Sequence, residues 1–279
     1  MTLHYDLHSH STISDGTLTP EQLLTAAKEA GVDVLALTDH DCVDGIARAV
    51  QQAIRLELGF VAGVEISVTW NAMTIHILGL RIQADDSALL AGLAKLRDFR
   101  LWRAQEIGKK LEKAGIPGAF AGAQAEAGAD SLISRTHFAR FLIKNGYARD
   151  FRQVFKNYLV QRKPGHVSGD WAQLQDAVTW IIGAGGQAVV AHPARYKMSR
   201  SKLNRLLTDF RSVGGVGLEV VSSAHSPLEC QNMAQLALQH ELLASCGSDF
   251  HSPDAPWAKL GQIPPIPQQC TAIWESWTD

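Results

Sequence analysis

The chain has 279 residues, 46% hydrophobic and 19% charged, with 10 scattered prolines. That composition excludes a disordered polypeptide, and the length suits one large α/β barrel, with or without an inserted subdomain. A formal net charge of -2 excludes a general attraction to nucleic acid, so any grip on phosphate must come from local basic groups.

The chain opens M-T-L-H-Y-D-L-H-S-H-S, with histidines where a signal peptide needs an apolar run. No later stretch is long enough to span a bilayer, so a cytoplasmic protein without a membrane partner is expected. Residues 5–8 read as a strand. Thr19, Pro20 and Gln22 form a capping box with proline at the first helical position, and Gly31 ends that helix. A strand at 34–38, a helix at 46–58 ending at Gly59, and strands at 60–68 and 74–80 follow.

From about 87 to 163 the strand signal vanishes and arginines sit among helically spaced apolar residues. Within it, the Ala/Gly-rich stretch 118–129 reads as a mobile connection. The alternation then resumes: helix 174–182, strand 187–191, helix 202–213, strand 217–221, helix 228–240 and strand 242–246. This pattern predicts a parallel sheet closed into a barrel, with a doubly wound sheet as the alternative. The implied organisation is a barrel formed by 1–86 and 164–279, interrupted by a helical insertion at 87–163. Cys42, Cys230, Cys246 and Cys270 form no C-x-x-C pair and are expected to be reduced structural residues.

The histidines carry the functional signal. Alternate strand residues face one side, so His8 and His10 can address one metal while Leu7 and Ser9 face away; Asp249 and His251 repeat the spacing. Asp15, Asp39 with His40, Glu65, His76 and His192 fall in or just after other strands, where barrel enzymes place their chemistry. A lone strand-end histidine is more often structural, but this many coincident clusters indicate a site. Imidazole and carboxylate donors without thiolates favour Zn²⁺, Mn²⁺ or Fe²⁺, and nine ligands exceed the needs of one ion. Adjacent strand residues face opposite ways, which makes His40 the ligand and Asp39 its outer-sphere orienter.

The motifs D-L-H-S-H-S-x-x-S-D-G, L-T-D-H-D, G-V-E-I-S, H-I-L-G, A-H-P and G-S-D-F-H together resemble the polymerase and histidinol phosphatase (PHP) superfamily. The resemblance implies a distorted seven-stranded β/α (TIM-like) barrel, three divalent metals (Mn²⁺ first) and phosphoester hydrolysis. It assigns His8, His10, Glu65 and Asp249 to one ion, Asp15, His40 and His251 to a second, and Glu65, His76 and His192 to a third. The segments I-S-R-T-H-F-A-R and K-P-G-H-V resemble members acting on nucleotides: 3′,5′-nucleoside bisphosphate phosphatases and an exoribonuclease that trims RNA from its 5′ end.

The expected chemistry is attack by hydroxide generated at the metals on a nucleotide or short RNA, with cationic side chains holding a second anionic group. Arg135 is the first candidate for that grip, followed by Arg100, Arg103, His137 and Arg195, with His225 in a strand-end loop. Glu219 reads as structural or as a support to a ligand. The alternatives are a histidinol-phosphate-type phosphatase, an amidohydrolase-like deaminase requiring a metal-bridging lysine, and a non-catalytic metal-binding module. No protein partner is implied, and the oligomeric state stays open.

Overall fold

The computed structural model describes residues 3–128, 131–255 and 258–277. Strand β1 (Tyr5–Asp6) leads to α1 (Pro20–Glu29), where the Thr19 hydroxyl accepts from the Gln22 N–H and the Gln22 side chain accepts from the Thr19 N–H. Strand β2 (Val34–Leu37) is followed by α2 (Ile46–Leu56). The sequence puts the stop of this helix at Gly59. Instead Glu57 takes the left-handed conformation at φ 50°, and Gly59 opens β3 (Gly59–Trp70). A Cβ at Gly59 would lie 2.8 Å from Val34 on β2, so close strand packing explains this glycine.

Strand β4 (Met73–Leu80) runs antiparallel to β3, a local departure from the parallel pairing that the alternation predicts. Only Asn71 and Ala72 connect the two strands, both at positive φ (47° and 58°). A two-residue link can reverse a chain but cannot return it parallel.

The helical segment contains α3 (Ser87–Lys113), α4 (Ala119–Ala127), α5 (Arg135–Lys144) and α6 (Phe151–Val154), the last running into a π-helical turn, Phe155–Leu159. The predicted mobile connection at 118–129 is therefore a helix over most of its length, while Ala129 lies outside the described residues. Alanine favours helix, Ala119 and Ala123 are fully buried, and Gly122 leaves room for the Phe141 ring, so packing holds the segment in place.

Strand β5 (Ala172–Gln173), α7 (Leu174–Gly183), β6 (Gln187–Val190), α8 (Arg200–Ser212), β7 (Gly217–Ser222), α9 (Pro227–Gln239) and β8 (Leu243–Gly247) complete the alternation. The sheet order is β1-β2-β3-β4-β6-β7-β8, with β5 attached to β3. Backbone bonds from Leu7 N to the Cys246 carbonyl (3.0 Å) and from His10 N to the Phe250 carbonyl (2.9 Å) bring the two ends of this order together. The result is a nearly closed, distorted seven-stranded α/β barrel.

Val61 shares a face of β3 with Glu65, as Leu78 and Leu80 share a face of β4 with His76. With Leu7, Ala36 and Val189 these apolar residues form a buried plug inside the barrel. A larger core lies between sheet and helices, and another, around Ile107, Leu111, Phe138 and Leu142, lies within the helical segment. Helix α3 serves both: Leu89, Leu93 and Leu96 pack on the barrel, and Ala104, Ile107 and Leu111 on the helices. Among the described residues no helix is long and apolar enough to cross a membrane.

Candidate metal centre

The Asp6 carboxylate accepts from the backbone N–H of Ser248 (2.8 Å), tying the exit of β1 to the exit of β8. His8 and His10 follow, with their Nε2 atoms 3.1 Å apart, while Leu7 enters the apolar plug and the Ser9 hydroxyl donates to the Ala36 carbonyl (2.6 Å). After β2, Asp39 and His40 diverge. Asp39 accepts from Ser11 N (2.8 Å), the Ser11 hydroxyl (2.6 Å) and the Ser14 hydroxyl (2.6 Å). Its contacts therefore fix the loop between His10 and Asp15 rather than the His40 ring.

Glu65, fully buried on β3, is the hub. Its Oε2 lies 2.9 Å from His40 Nδ1, 3.3 Å from His10 Nε2 and 3.4 Å from His8 Nε2; its Oε1 lies 2.8 Å from His76 Nδ1 and 3.0 Å from His192 Nε2. Asp249 Oδ1 is 3.4 Å from His10 and 3.5 Å from His8, and its Oδ2 accepts from Arg195. Asp15 Oδ1 lies 3.3 Å from His251 and 3.9 Å from His40. Asp15 Oδ2 accepts from the Ser134 and Thr136 hydroxyls (3.0 and 2.9 Å) at the start of α5. Both His192 (φ 28°) and Asp249 (φ 53°) hold left-handed backbone conformations, which cost about 1–3 kcal/mol each.

The nine expected ligands thus converge. Ligand atoms of four groups lie within 4.8 Å of one another: His10, Asp15, His40 and His251; His8, His10 and Asp249; His8, Glu65 and His192; and His40, Glu65 and His76. Sequence reasoning gave Glu219 no definite partner. In the structure its Oε1 lies 3.1 Å from His8 Nδ1, and its Oε2 accepts the His192 backbone N–H at 2.5 Å. A glutamate within the apolar strand G-L-E-V-V was the available signal.

Divalent cations fit this donor set on the structure's own terms. Glu65 Oε2 and Asp15 Oδ1 are buried without a hydrogen-bond donor, a costly state for a carboxylate oxygen lacking a cation. Burial opposes ionisation of Asp15, Glu65 and Asp249, yet the surrounding imidazoles hold all three well below the usual carboxylate range. For His8, burial disfavours the proton, but Glu219, Glu65 and Asp249 outweigh it and push the ring well above its ordinary value. His10 is likewise carried to about 9, against burial, by Asp249 and Glu65. Desolvation wins at His40, which falls to about 4, and at His192. Divalent cations held by these residues would offset the same buried negative charge, with the ligands giving up their protons on binding.

Beside the cluster lies a cavity of about 460 Å³, within the range of small-molecule sites. Besides members of the cluster, its lining includes Arg100, Arg103, Arg135, Phe155, His166 and Trp171. Arg100 is committed: Nε donates to Asp41 (2.6 Å) and Nη2 to Ser67 (2.9 Å), and the guanidinium lies 5.0 Å from the Trp171 ring centroid. The described residues give Arg103 and Arg135 no ion-pair carboxylate. Burial, with Arg135 and Arg100 adding, pulls Arg103 down to about 9; burial and Arg100 lower Arg135.

Arg195 also lines the cavity, but against Asp249. Two other expected substrate contacts are turned inward. His137 is buried as a cap, its Nδ1 accepting from Ser134 N (3.0 Å), because Ser134-x-x-His137 is a capping-box pattern. His225 is buried with Nδ1 3.2 Å from the Val220 carbonyl. Neither is among the residues lining the cavity.

Fold and site together define a β/α-barrel protein with a His/carboxylate centre where its strands end. The model of the PHP domain matches residues 6–223, and the chain belongs to that family. It is 48% identical over 269 residues to a 3′,5′-nucleoside bisphosphate phosphatase of Chromobacterium violaceum, covering 96% of this chain and 94% of that protein. It is 45% identical over 277 residues to the 5′-3′ exoribonuclease Rnm of Escherichia coli, covering 98% and 93%. A solved structure of an amidohydrolase from Chromobacterium violaceum, with bound sulfate and no metal, matches with TM-score 0.94 at 47% identity, covering 98% of this chain and 95% of the other.

Proposed function

We propose that the chain is a metal-dependent phosphoesterase acting on nucleotides, with 3′,5′-nucleoside bisphosphates and the 5′ end of short RNA as its substrates. One observation carries the reading. Glu65 is ringed by His8, His10, His40, His76 and His192 beside a cavity also lined by Arg103 and Arg135, for which the described residues form no ion pair. A nucleotide with two phosphates supplies what both ends lack: one phosphate for the metal-binding end and an anion for the arginine wall. The names of the two relatives support the same pair of substrates.

In this reading His8, His10, Glu65 and Asp249 hold one ion, Asp15, His40 and His251 a second, and Glu65, His76 and His192 a third. Mn²⁺ is the first choice, and Zn²⁺ or Fe²⁺ suit the same donors. Such ions, when bound, supply Lewis acidity to phosphoryl oxygens and acidify water toward neutral pH. The protein's own part is orientation. Glu219 fixes the His8 ring and the His192 backbone, the α5 hydroxyls fix Asp15, and Asp39 fixes the loop between His10 and Asp15. Arg135 and Arg103 take the second anionic group, and the insertion at 87–163 exists to present them to the barrel formed by 1–86 and 164–279. No lysine is among the described residues lining the cavity, which leaves the deaminase alternative without its bridging group. A cytoplasmic location is part of the proposal.

Purified protein with Mn²⁺ is expected to release phosphate from 3′-phosphoadenosine 5′-phosphate and mononucleotides from short 5′-phosphorylated RNA. Inactivity on both, with activity on histidinol phosphate, overturns the assignment.

A further inference from the structure

Trp171, in the cavity wall, begins a run of aromatic rings that continues outside the cavity lining. Trp171 forms part of the wall, held by bonds from its backbone N–H to the Thr69 hydroxyl (2.9 Å) and from its indole N–H to the Thr74 hydroxyl (3.1 Å). The Phe99 ring stands edge-on to Trp171 at 4.8 Å, and the Trp102 ring follows 5.3 Å beyond Phe99. The three rings run from the buried wall to the surface, where Trp102 is 49% exposed and its neighbour Leu101 equally so.

Cations accompany this path. Arg103 donates to the Val167 carbonyl (3.2 Å) and lies 5.4 Å from the Trp171 ring centroid, and Lys110 donates to the His166 carbonyl (2.7 Å). The 163–167 segment, with exposed Lys163, therefore runs along the same helix as Trp102. Exposed aromatic rings beside a basic track are the ordinary means of holding single-stranded nucleic acid without reading its sequence.

We infer that Trp102 is a stacking platform for single-stranded RNA beyond the nucleotide in the cavity. The bases would stack on Trp102 and the backbone would pass along Arg103, Lys110 and Lys163. The inference rests on the phosphoesterase reading of the cavity. It deepens that reading by adding a contact outside the cavity that a nucleoside bisphosphate does not reach. The acidic neighbours Asp98 and Glu106 on α3 disfavour a phosphate over the ring itself, which is why a base is assigned there. Lys109 pairs with Glu106 at 2.7 Å and offsets part of that charge.

Trp102→Ala and Trp102→Phe test this, since an exposed ring can be removed without opening the core. Fluorescence anisotropy of a labelled hexaribonucleotide, read in EDTA, is expected to weaken by about five- to one-hundred-fold in Trp102→Ala and to recover in Trp102→Phe. With Mn²⁺, KM for the hexanucleotide is expected to rise by a similar factor, and KM for the nucleoside bisphosphate to stay unchanged. Unchanged RNA affinity, or an equal loss on both substrates, overturns the inference. Wild-type protein that binds the hexanucleotide through Trp102 but hydrolyses neither substrate overturns the proposed function alone.

Discussion

Glu219 offers the sharpest test of how the metal centre is built. Each of its oxygens accepts one bond: Oε1 faces His8 Nδ1 at 3.1 Å, and Oε2 takes the His192 backbone N–H at 2.5 Å. Glu219→Gln has nearly the same shape but only one accepting oxygen. Either flip of the amide sets an NH₂ group against one of these two donors. The neighbourhood allows no escape, because Glu219 is fully buried and the Gly247 backbone packs so closely that a Cβ there would lie 2.8 Å from Oε1. The loss of a carboxylate also removes the largest charge attraction that raises the His8 imidazole above its ordinary value.

Supports of this kind typically contribute ten- to one-hundred-fold to metal affinity, about 1.4–2.7 kcal/mol. Glu219→Gln should therefore raise the Mn²⁺ concentration for half-maximal activity by about that factor. Metal content after gel filtration should fall, and activity at saturating metal should recover most of its value. Unchanged metal affinity would refute the supporting role.

The buried pair of Asp41 and Arg100 should behave as a unit. Arg100→Met leaves a fully buried carboxylate with the Ser67 N–H (2.7 Å) and no cation, at a cost of about 3–5 kcal/mol by urea unfolding. Adding Asp41→Asn, which tolerates the φ of 50°, should restore part of it, and strict additivity refutes the coupling. Burial pulls the His137 imidazole down to about 4 from 6.5, so the unfolded chain binds the extra proton between those values. Stability is complete above 6.5 and declines by about 3 kcal/mol as pH falls to about 4. His137→Gln keeps a capping-box residue and should lose that slope; parallel pH curves for both proteins refute the assignment. Arg135→Ala should raise KM for a nucleoside bisphosphate by about ten- to one-hundred-fold, since hydrogen bonds to a charged group contribute about 1.5–3 kcal/mol. Equal KM values exclude it from the anion grip.

What the sequence disclosed depended on how far apart the interacting residues lie. The His8/His10 pair was legible because period-two alternation is a local rule, and the strand ends were legible because apolar runs stop at them. Glu219 and His8 are 211 positions apart, and their contact exists only because β7, β8 and β1 are neighbours in the closed sheet. The same holds for Arg100, whose guanidinium reads as a free cation until Asp41 is placed beside it. The capping contact of His137 is hidden for a different reason: it is local, but histidine is an unusual third residue for a capping box. The reversal at β4 was also readable, since the expected strands left too short a gap for a parallel crossover.

In the proposed reading, the long helix α3 is what lets the 87–163 segment set specificity on the barrel. Leu89, Leu93 and Leu96 root its first turns in the barrel core, and Ile107 and Leu111 root its last turns in the helical core. Arg100 and Arg103 lie between those roots, facing the cavity, and the Arg100–Asp41 bond pins the midpoint to the loop after β2 that also carries His40. To slide the insertion relative to the ligand cluster, both cores and a buried ion pair would have to give. The distance between the metal-binding end and the arginine wall is therefore set by packing, which is what a site measuring the separation of two phosphates requires. In the proposed reading, discrimination against substrates with one phosphate comes from this fixed spacing, and variants that loosen α3 should lose selectivity before they lose turnover.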